Sequence, residues 1–343
     1  MAYTTIKKPS DYFNTKVYTG TGSSLALTGV GFQPDWTWIK RRNGTAYHWL
    51  IDAVRGSTKA IYSNGTEAEQ TQSQGITSFD SDGFTLGTNS DVNGSSDTYA
   101  SWNWLGANGT ASNTDGSITS TVSANTTSGF SIVKYTGNGT AGATIGHGLS
   151  SVPNVVLIKA LTSSSQQWNM YHSSLGNGSH MHFNLTNAVN SSSNYFNNTT
   201  PTSSVFSVGS YFETNESSTD FIAYCFAEKQ GYSKFGSYTG NGNADGTFIY
   251  TGFKPSFVMW KNATTASTNW HIVDNKRDTF NIVDKLLLPN DSSAEITQSA
   301  LDLTSNGFKI RVTNGFVNTS GDNYIYMAFA EEPLVGDNPA TAR

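Results

Sequence analysis

Two short charged patterns in this 343-residue chain have the residue types and spacing to do chemistry. His48-x-Leu50-x-Asp52-x-x-Arg55 is matched by Trp270-x-Ile272-x-Asp274-x-x-Arg277. An arginine three residues after an aspartate can turn its planar fork onto that carboxylate and onto nearby loop carbonyls. Such a pair could bind a sugar hydroxyl or anchor a partner. Because it occurs twice in matching surroundings, we read Asp52, Arg55, Asp274 and Arg277 as structural pairs. A looser third version, Trp168-x-Met170-x-His172, has His172 and Leu175 in the two positions, which weighs against a required site.

His180-Met181-His182 is a second candidate. On a strand its two imidazoles share a face and, with His172, could hold a metal. The corresponding positions elsewhere are Ala60 and Tyr62, and Leu286 and Leu288, so a half-buried or surface histidine pair is the simpler reading and no metal is assigned. Asp80-Ser81-Asp82-Gly83 alternates carboxylates as calcium loops do, without a bidentate glutamate in register. Trp36/Trp38 and Trp102/Trp104 each have period 2, so each pair presents one face. We carry these four as candidate glycan contacts, against the competing expectation that they fill a core. Cys225 lies in the apolar run Phe221 to Phe226 and reads as a small buried hydrophobe. Gly-x-Ser-x-Gly, His-Glu-x-x-His and a glycine-rich phosphate loop are all absent. Carboxylates suffice in number for glycosidase chemistry, but none stands out in an aromatic cleft. No enzyme activity and no cofactor are expected.

The elements that carry these residues repeat. Tyr18-Thr19-Gly20 returns as Tyr135-Thr136-Gly137 and Tyr238-Thr239-Gly240. A Gly/Pro turn follows each time, then a strand-like run ending in Lys40, Lys159 or Lys261. Asn64-x-Thr66-x-Ala68-Glu69 pairs with Asn290-x-Ser292-x-Ala294-Glu295, and more loosely with Asn184-x-Thr186-x-Ala188. Each unit closes on an aromatic strand. Units of about 100 residues are domain-sized. The predicted organisation is all-β: three tandem homologous β-sandwich domains of jelly-roll or lectin-like type over 1–106, 107–229 and 230–333, then a tail over 334–343. Residues 107–128 are either a linker or a polar strand pair. A short helix is expected around Ser293 to Leu301.

Composition narrows the classes. The chain holds 44 Ser, 43 Thr and 32 Asn, 119 of 343 residues, with net charge −5 and 13% aromatics. Eight Trp, sixteen Tyr and nineteen Phe supply too much burial for a disordered tail. Scattered Lys and Arg argue against nucleic acid, and no apolar run is long enough for a membrane-spanning helix. Met1 to Asp11 has no apolar h-region, so no secretory signal is expected.

The strings Gly31-Phe32-Gln33-Pro34-Asp35, Trp38-Ile39-Lys40, Asp52-Ala53-Val54-Arg55-Gly56, Gly231 to Gly242 and Tyr326 to Glu331 resemble an uncharacterised repeat domain of marine tailed-bacteriophage virion proteins. The resemblance covers nearly the whole chain. It implies a virion location and a lectin-like β-sandwich, and it carries no catalytic residues. The expected function is a phage structural protein, of tail-fibre or adhesin type, that contacts host glycans. A purely structural capsid decoration or appendage protein is the alternative, and a carbohydrate-active depolymerase the second. Expected partners are other virion proteins, host surface glycans and further copies of the chain, a trimer first, with Met1 to Asn14 as the favoured anchor and the tail from Pro333 as second choice.

Overall fold

The computed structural model describes residues 3–335 and 339–340. The chain is built almost wholly of antiparallel strands, in six sheets, with helices of only three or four residues. In the first stretch, Phe13–Thr19, Thr98–Trp104, Trp36–Arg41, Trp49–Asp52, Lys59–Tyr62 and Gln70–Thr71 lie side by side in that order. The opening and closing strands pair along their full length, from Phe13 opposite Trp104 to Thr19 opposite Thr98. A smaller sheet of Leu25–Leu27, Gly83–Leu86 and Ile76–Asp80 covers one face. Ile39, Trp49, Ile51, Phe84, Leu86 and Tyr99 fill the space between them.

The same order of opening, closing, third and fourth strand appears twice more. It runs Phe130–Thr136, Asp220–Phe226, Val155–Ala160, Asn169–His172 in the second stretch. In the third it runs Ser233–Thr239, Asn323–Pro333, Phe253–Asn262, His271–Asp274. Each larger sheet again has its own core against a smaller sheet.

The opposite faces of the three larger sheets meet each other. Trp36, Trp38, Trp102 and Trp104 from the first, Leu157, Tyr224 and Phe226 from the second, and Phe257, Met259 and Phe329 from the third belong to one cluster. The three stretches therefore share a fourth core in addition to their own. This explains why strands such as Trp36–Arg41 and Val155–Ala160 are buried almost continuously: apolar side chains serve both faces, and alternation disappears. The rings are tightly packed, with Trp36 4.3 Å from Trp104 and 4.5 Å from Tyr224. A void of only about 10 Å³ remains among them, lined entirely by apolar side chains. A cavity that small and apolar stays dry.

Two expectations change, and one left open between two alternatives is decided. Residues around Ser293 to Leu301 are not helical; Ile296–Thr304 is a strand between Val283–Leu286 and Gly307–Ile310. The polar stretch after residue 106 is a strand pair, Ala111–Asn113 with Ser120–Asn125, which extends the second large sheet. The segment proposed as a free anchor is part of the body: Ile6 is 1% exposed in the shared core, and the Tyr3 hydroxyl donates to Gly252 O at 2.7 Å. Met1 and Ala2 of that segment, and most of the tail after Val335, lie outside the described residues.

Candidate functional site

Chemically capable side chains concentrate where the three stretches meet, and the contacts run in a cycle. Asp52, at the end of Trp49–Asp52, accepts from Arg55 Nε and from the Tyr224 hydroxyl at 2.8 Å. Asp274, at the end of His271–Asp274, accepts from Arg277 Nε at 2.6 Å and from Trp102 Nε1 at 3.0 Å. Each arginine continues to a glutamate: Arg55 to Glu69 at 3.3 Å, and Arg277 to Glu295 at 3.0 Å. Both guanidinium groups also donate to main-chain oxygens, Leu50 O and Ile272 O. Burial alone disfavours their charge, but the paired carboxylates outweigh it and hold both arginines above their ordinary value. These are buried, multiply bonded ion clusters at boundaries.

The middle stretch replaces the whole cluster at once. Positions equivalent to Asp, Arg and Glu are His172, Leu175 and Val189, and Leu175 and Val189 pack against the shared core. The reason lies across the boundary. Tyr224 and Trp102 offer a hydrogen-bond donor to Asp52 and Asp274; Met327 stands in the equivalent strand position and offers none. A carboxylate facing Met327 would be buried without that partner, which is costly. His172 instead contacts Tyr326 O at 3.2 Å through Nε2, and burial pushes it down to about 4.

Other bonds follow the same cycle. Glu69 N donates to Leu161 O, Val189 N to Ala263 O and Glu295 N to Arg42 O, at 2.7–2.9 Å. Trp168 Nε1 donates to Tyr62 O at 2.8 Å and Trp270 Nε1 to His182 O at 3.2 Å. Lys40 Nζ reaches Ser292 O at 3.1 Å and Lys159 Nζ reaches Thr66 O at 3.2 Å. Lys261, the third of the set, stays with Asn262 O and Thr268 Oγ1. Burial brings all three lysines down to about 8. Arg42 and Glu295 add a bidentate pair, 2.9 and 2.8 Å.

The four tryptophans carried as glycan contacts, Trp36, Trp38, Trp102 and Trp104, are at most 2% exposed. Their faces are covered by the other two sheets, so they have no surface to offer a sugar. His180 and His182 share a face of Ser179–His182 with ring centroids 5.2 Å apart. His180 stacks on Tyr195 at 3.6 Å, while His172 is engaged at Tyr326. Among the described residues no group of three His, Cys, Asp or Glu is placed to hold a metal ion. Asp80 accepts from Ser78 and Thr85 hydroxyls, and Asp82 from Gly29 and Gly31 N–H. Donor hydrogens thus occupy the oxygens that a calcium ion would need. Cys225 is buried, and desolvation raises its thiol far above the usual range.

One open polar cleft of about 600 Å³ lies outside this network, where the first and third stretches meet. Tyr47, Asn64 and Asp91 face Asn290, Asp291 and Ser292 across it. The sequence patterns did not single out Tyr47, Asp91 or Asp291, because the cleft joins segments at least 199 residues apart (Asp91 to Asn290) and no local spacing encodes it.

Architecture and site together define an all-β protein whose charged and aromatic groups bind its own parts to one another. Residues 8–333 match the family described as a domain of unknown function, DUF7483, and the chain belongs to that family. No curated protein and no solved structure matches it.

Proposed function

We propose that this chain is a structural protein of a bacteriophage particle, a tail-fibre or adhesin-type surface module that contacts host glycans. The observation that carries the reading is where the chemistry sits. Asp52, Arg55, Asp274, Arg277 and the tryptophans, the groups that could act on a ligand, are buried and bonded between stretches. What faces outward is largely Ser, Thr and Asn in turns. A surface rich in hydroxyl and amide groups suits repeated contact with other virion proteins and with saccharides, whose hydroxyls pair with such groups. No catalytic role is assigned. On the particle the protein is proposed to act as an oligomer, with a trimer first.

Immunogold labelling of particles, combined with competition of adsorption by the purified protein, tests this. Tail-end labelling and reduced adsorption are expected. Labelling spread over the head with adsorption unchanged would turn the reading to capsid decoration. Release of reducing ends from host polysaccharide would turn it to a depolymerase.

A further inference from the structure

The boundary between stretches is built three times, and the cleft described above lies where the first and third meet. The differences can be read residue by residue. A four-residue helix precedes each closing strand: Ser90–Asn93, Phe212–Asn215 and Gly315–Asn318. Its last asparagine plays one role throughout, accepting from Thr21 N, Asn138 N and Asn241 N at 2.8–2.9 Å. The second helix position is then Asp91, Glu213 or Phe316. Glu213 turns inward and is 5% exposed, accepting from Gln167 N and Asn169 Nδ2 at 3.3 and 3.1 Å. Phe316 lies over His271 at 4.8 Å. Asp91 does neither, and its carboxylate makes no hydrogen bond among the described residues.

The residue before His48, Trp168 and Trp270 differs in the same way: Tyr47, Gln167 and Asn269. Gln167 and Asn269 bond to Asn184 and Asn290 at 2.6 and 2.8 Å, each within its own stretch. Tyr47 cannot make that amide bond. One ring face stacks on Tyr62 at 4.5 Å, its hydroxyl donates to Glu67 at 3.2 Å, and the side chain remains 39% exposed. The amide of Asn64, whose Oδ1 holds His48 N, keeps its Nδ2 available. Asp291 uses Oδ1 for Ser293 N and leaves the other oxygen to the cleft. Lys40, buried below, fixes the Ser292 carbonyl.

We propose that this cleft is a saccharide-binding site for neutral hexopyranose chains, with Tyr47 as the stacking platform and Asp91, Asp291 and Asn64 as the groups that read hydroxyls. This rests on the reading of the protein as a glycan-contacting module and gives it a place and a substrate class. An aromatic face takes up the C–H face of a sugar ring, and a carboxylate accepts from two neighbouring hydroxyls with charge-assisted strength. The size falls within the roughly 300–1,000 Å³ of small-molecule sites. Two carboxylates also set what is refused: uronic and sulfated glycans would bring like charge into the cleft.

Saturation-transfer NMR on the full chain provides the test. Maltotetraose, cellotetraose and galactotetraose serve as neutral probes, and trigalacturonate and a sulfated carrageenan tetrasaccharide as anionic ones. At least one neutral probe should bind with a dissociation constant on the order of 10⁻³ M. Tyr47→Ala should weaken it about tenfold or more, a loss of about 1.4 kcal/mol, with a cooperative thermal transition retained and lowered only slightly by loss of the Tyr62 stack. Asp91→Asn should weaken it while admitting the anionic probes. Binding that survives both substitutions overturns the site and leaves the glycan-contact reading standing. Absence of binding by every neutral probe, or preference for the anionic ones, overturns the substrate class. Adsorption of particles that is insensitive to the purified protein overturns the underlying reading instead.

Discussion

Arg277 has no solvent-exposed side-chain surface and yet carries a full charge. It is held by Asp274, Glu295 and two main-chain oxygens, with its guanidinium 5.5 Å from the Trp102 ring. Arg277→Met should therefore leave buried Asp274 without its counter-ion, while Glu295 keeps Arg42, and cost about 3–5 kcal/mol, seen as a lower urea midpoint. Arg55→Met should cost a similar amount. The middle stretch shows how the loss can be absorbed. Asp52→His, Arg55→Leu, Glu69→Val and Tyr224→Met made together reproduce the His172, Leu175, Val189 and Met327 set. We expect that fourfold variant to be clearly more stable than Arg55→Met alone, as urea unfolding will show. The histidines set a pH dependence. His172 and His180 are pushed down to about 4 by burial, while unfolded histidine titrates near about 6.5. Between those values the unfolded chain binds more protons. Stability that is fully present above the unfolded value is therefore lost as pH falls toward 4, by up to ~1.4 kcal/mol per pH unit for each ring. His180 faces His182 and Tyr195, with Glu213 beyond, and neither of its nitrogens has a hydrogen-bond partner. His180→Leu should flatten the decline in urea midpoint between pH 7 and pH 5; an unchanged slope would remove His180 as a contributor. At this scale the Asp/Arg pairs were legible because an i, i+3 spacing is local. Their links to Tyr224 and Trp102 were not, since each spans 172 residues.

Strands that carry Lys40, Lys159 and Lys261 next to their last residue were visible as a repeated pattern, but the purpose of the lysines was not. The lysines are buried, and two of them reach across a boundary to a backbone carbonyl. Strand existence was legible from aromatic and β-branched runs bounded by turn residues. Which face was buried was not, because the strands lining the shared core lack alternation. Ile296–Thr304 was misread because Ile296, Ala300, Leu301 and Leu303 mimic a helical stripe, while pairing of Leu301 with both Val283 and Ile310 decides for a strand. The opening segment was misread for a different reason. Polar and lysine-bearing at its start, it gives no periodic signal, yet Ile6 and Phe13 are buried in the shared core and Tyr12 packs against it. Ile6→Ala should cost about 2–4 kcal/mol, and deleting residues 1–14 should lower the thermal midpoint of the entire chain, measurable by calorimetry. A truncated chain that melts like the intact one would show that the segment is peripheral.

For the whole molecule, the shared core makes the three stretches mutually dependent. Residues 230–335 in isolation would expose Phe257, Met259, Met327 and Phe329, all now at most 5% exposed. That fragment should bind a hydrophobic dye and unfold without a sharp transition, whereas the intact chain should melt in one step. The all-β class was legible from the sequence because short aromatic and β-branched runs alternate with turn residues. The fusion of the three stretches into one body was not, because nothing local tells an inward-facing tryptophan from an outward-facing one. There is also a consequence for the order of events during synthesis. Ile6 and Phe13 pack against Phe329 and its neighbours, and Tyr3 bonds a carbonyl 249 positions away. At about 5–20 residues per second, the ribosome takes on the order of tens of seconds to deliver those partners. Throughout that interval the first completed sheet has one finished side and one raw side, greasy and aromatic, waiting for chain that has not yet been made. A premature stop in the last third thus yields a product with an open seam, and the cell's quality control is expected to remove it.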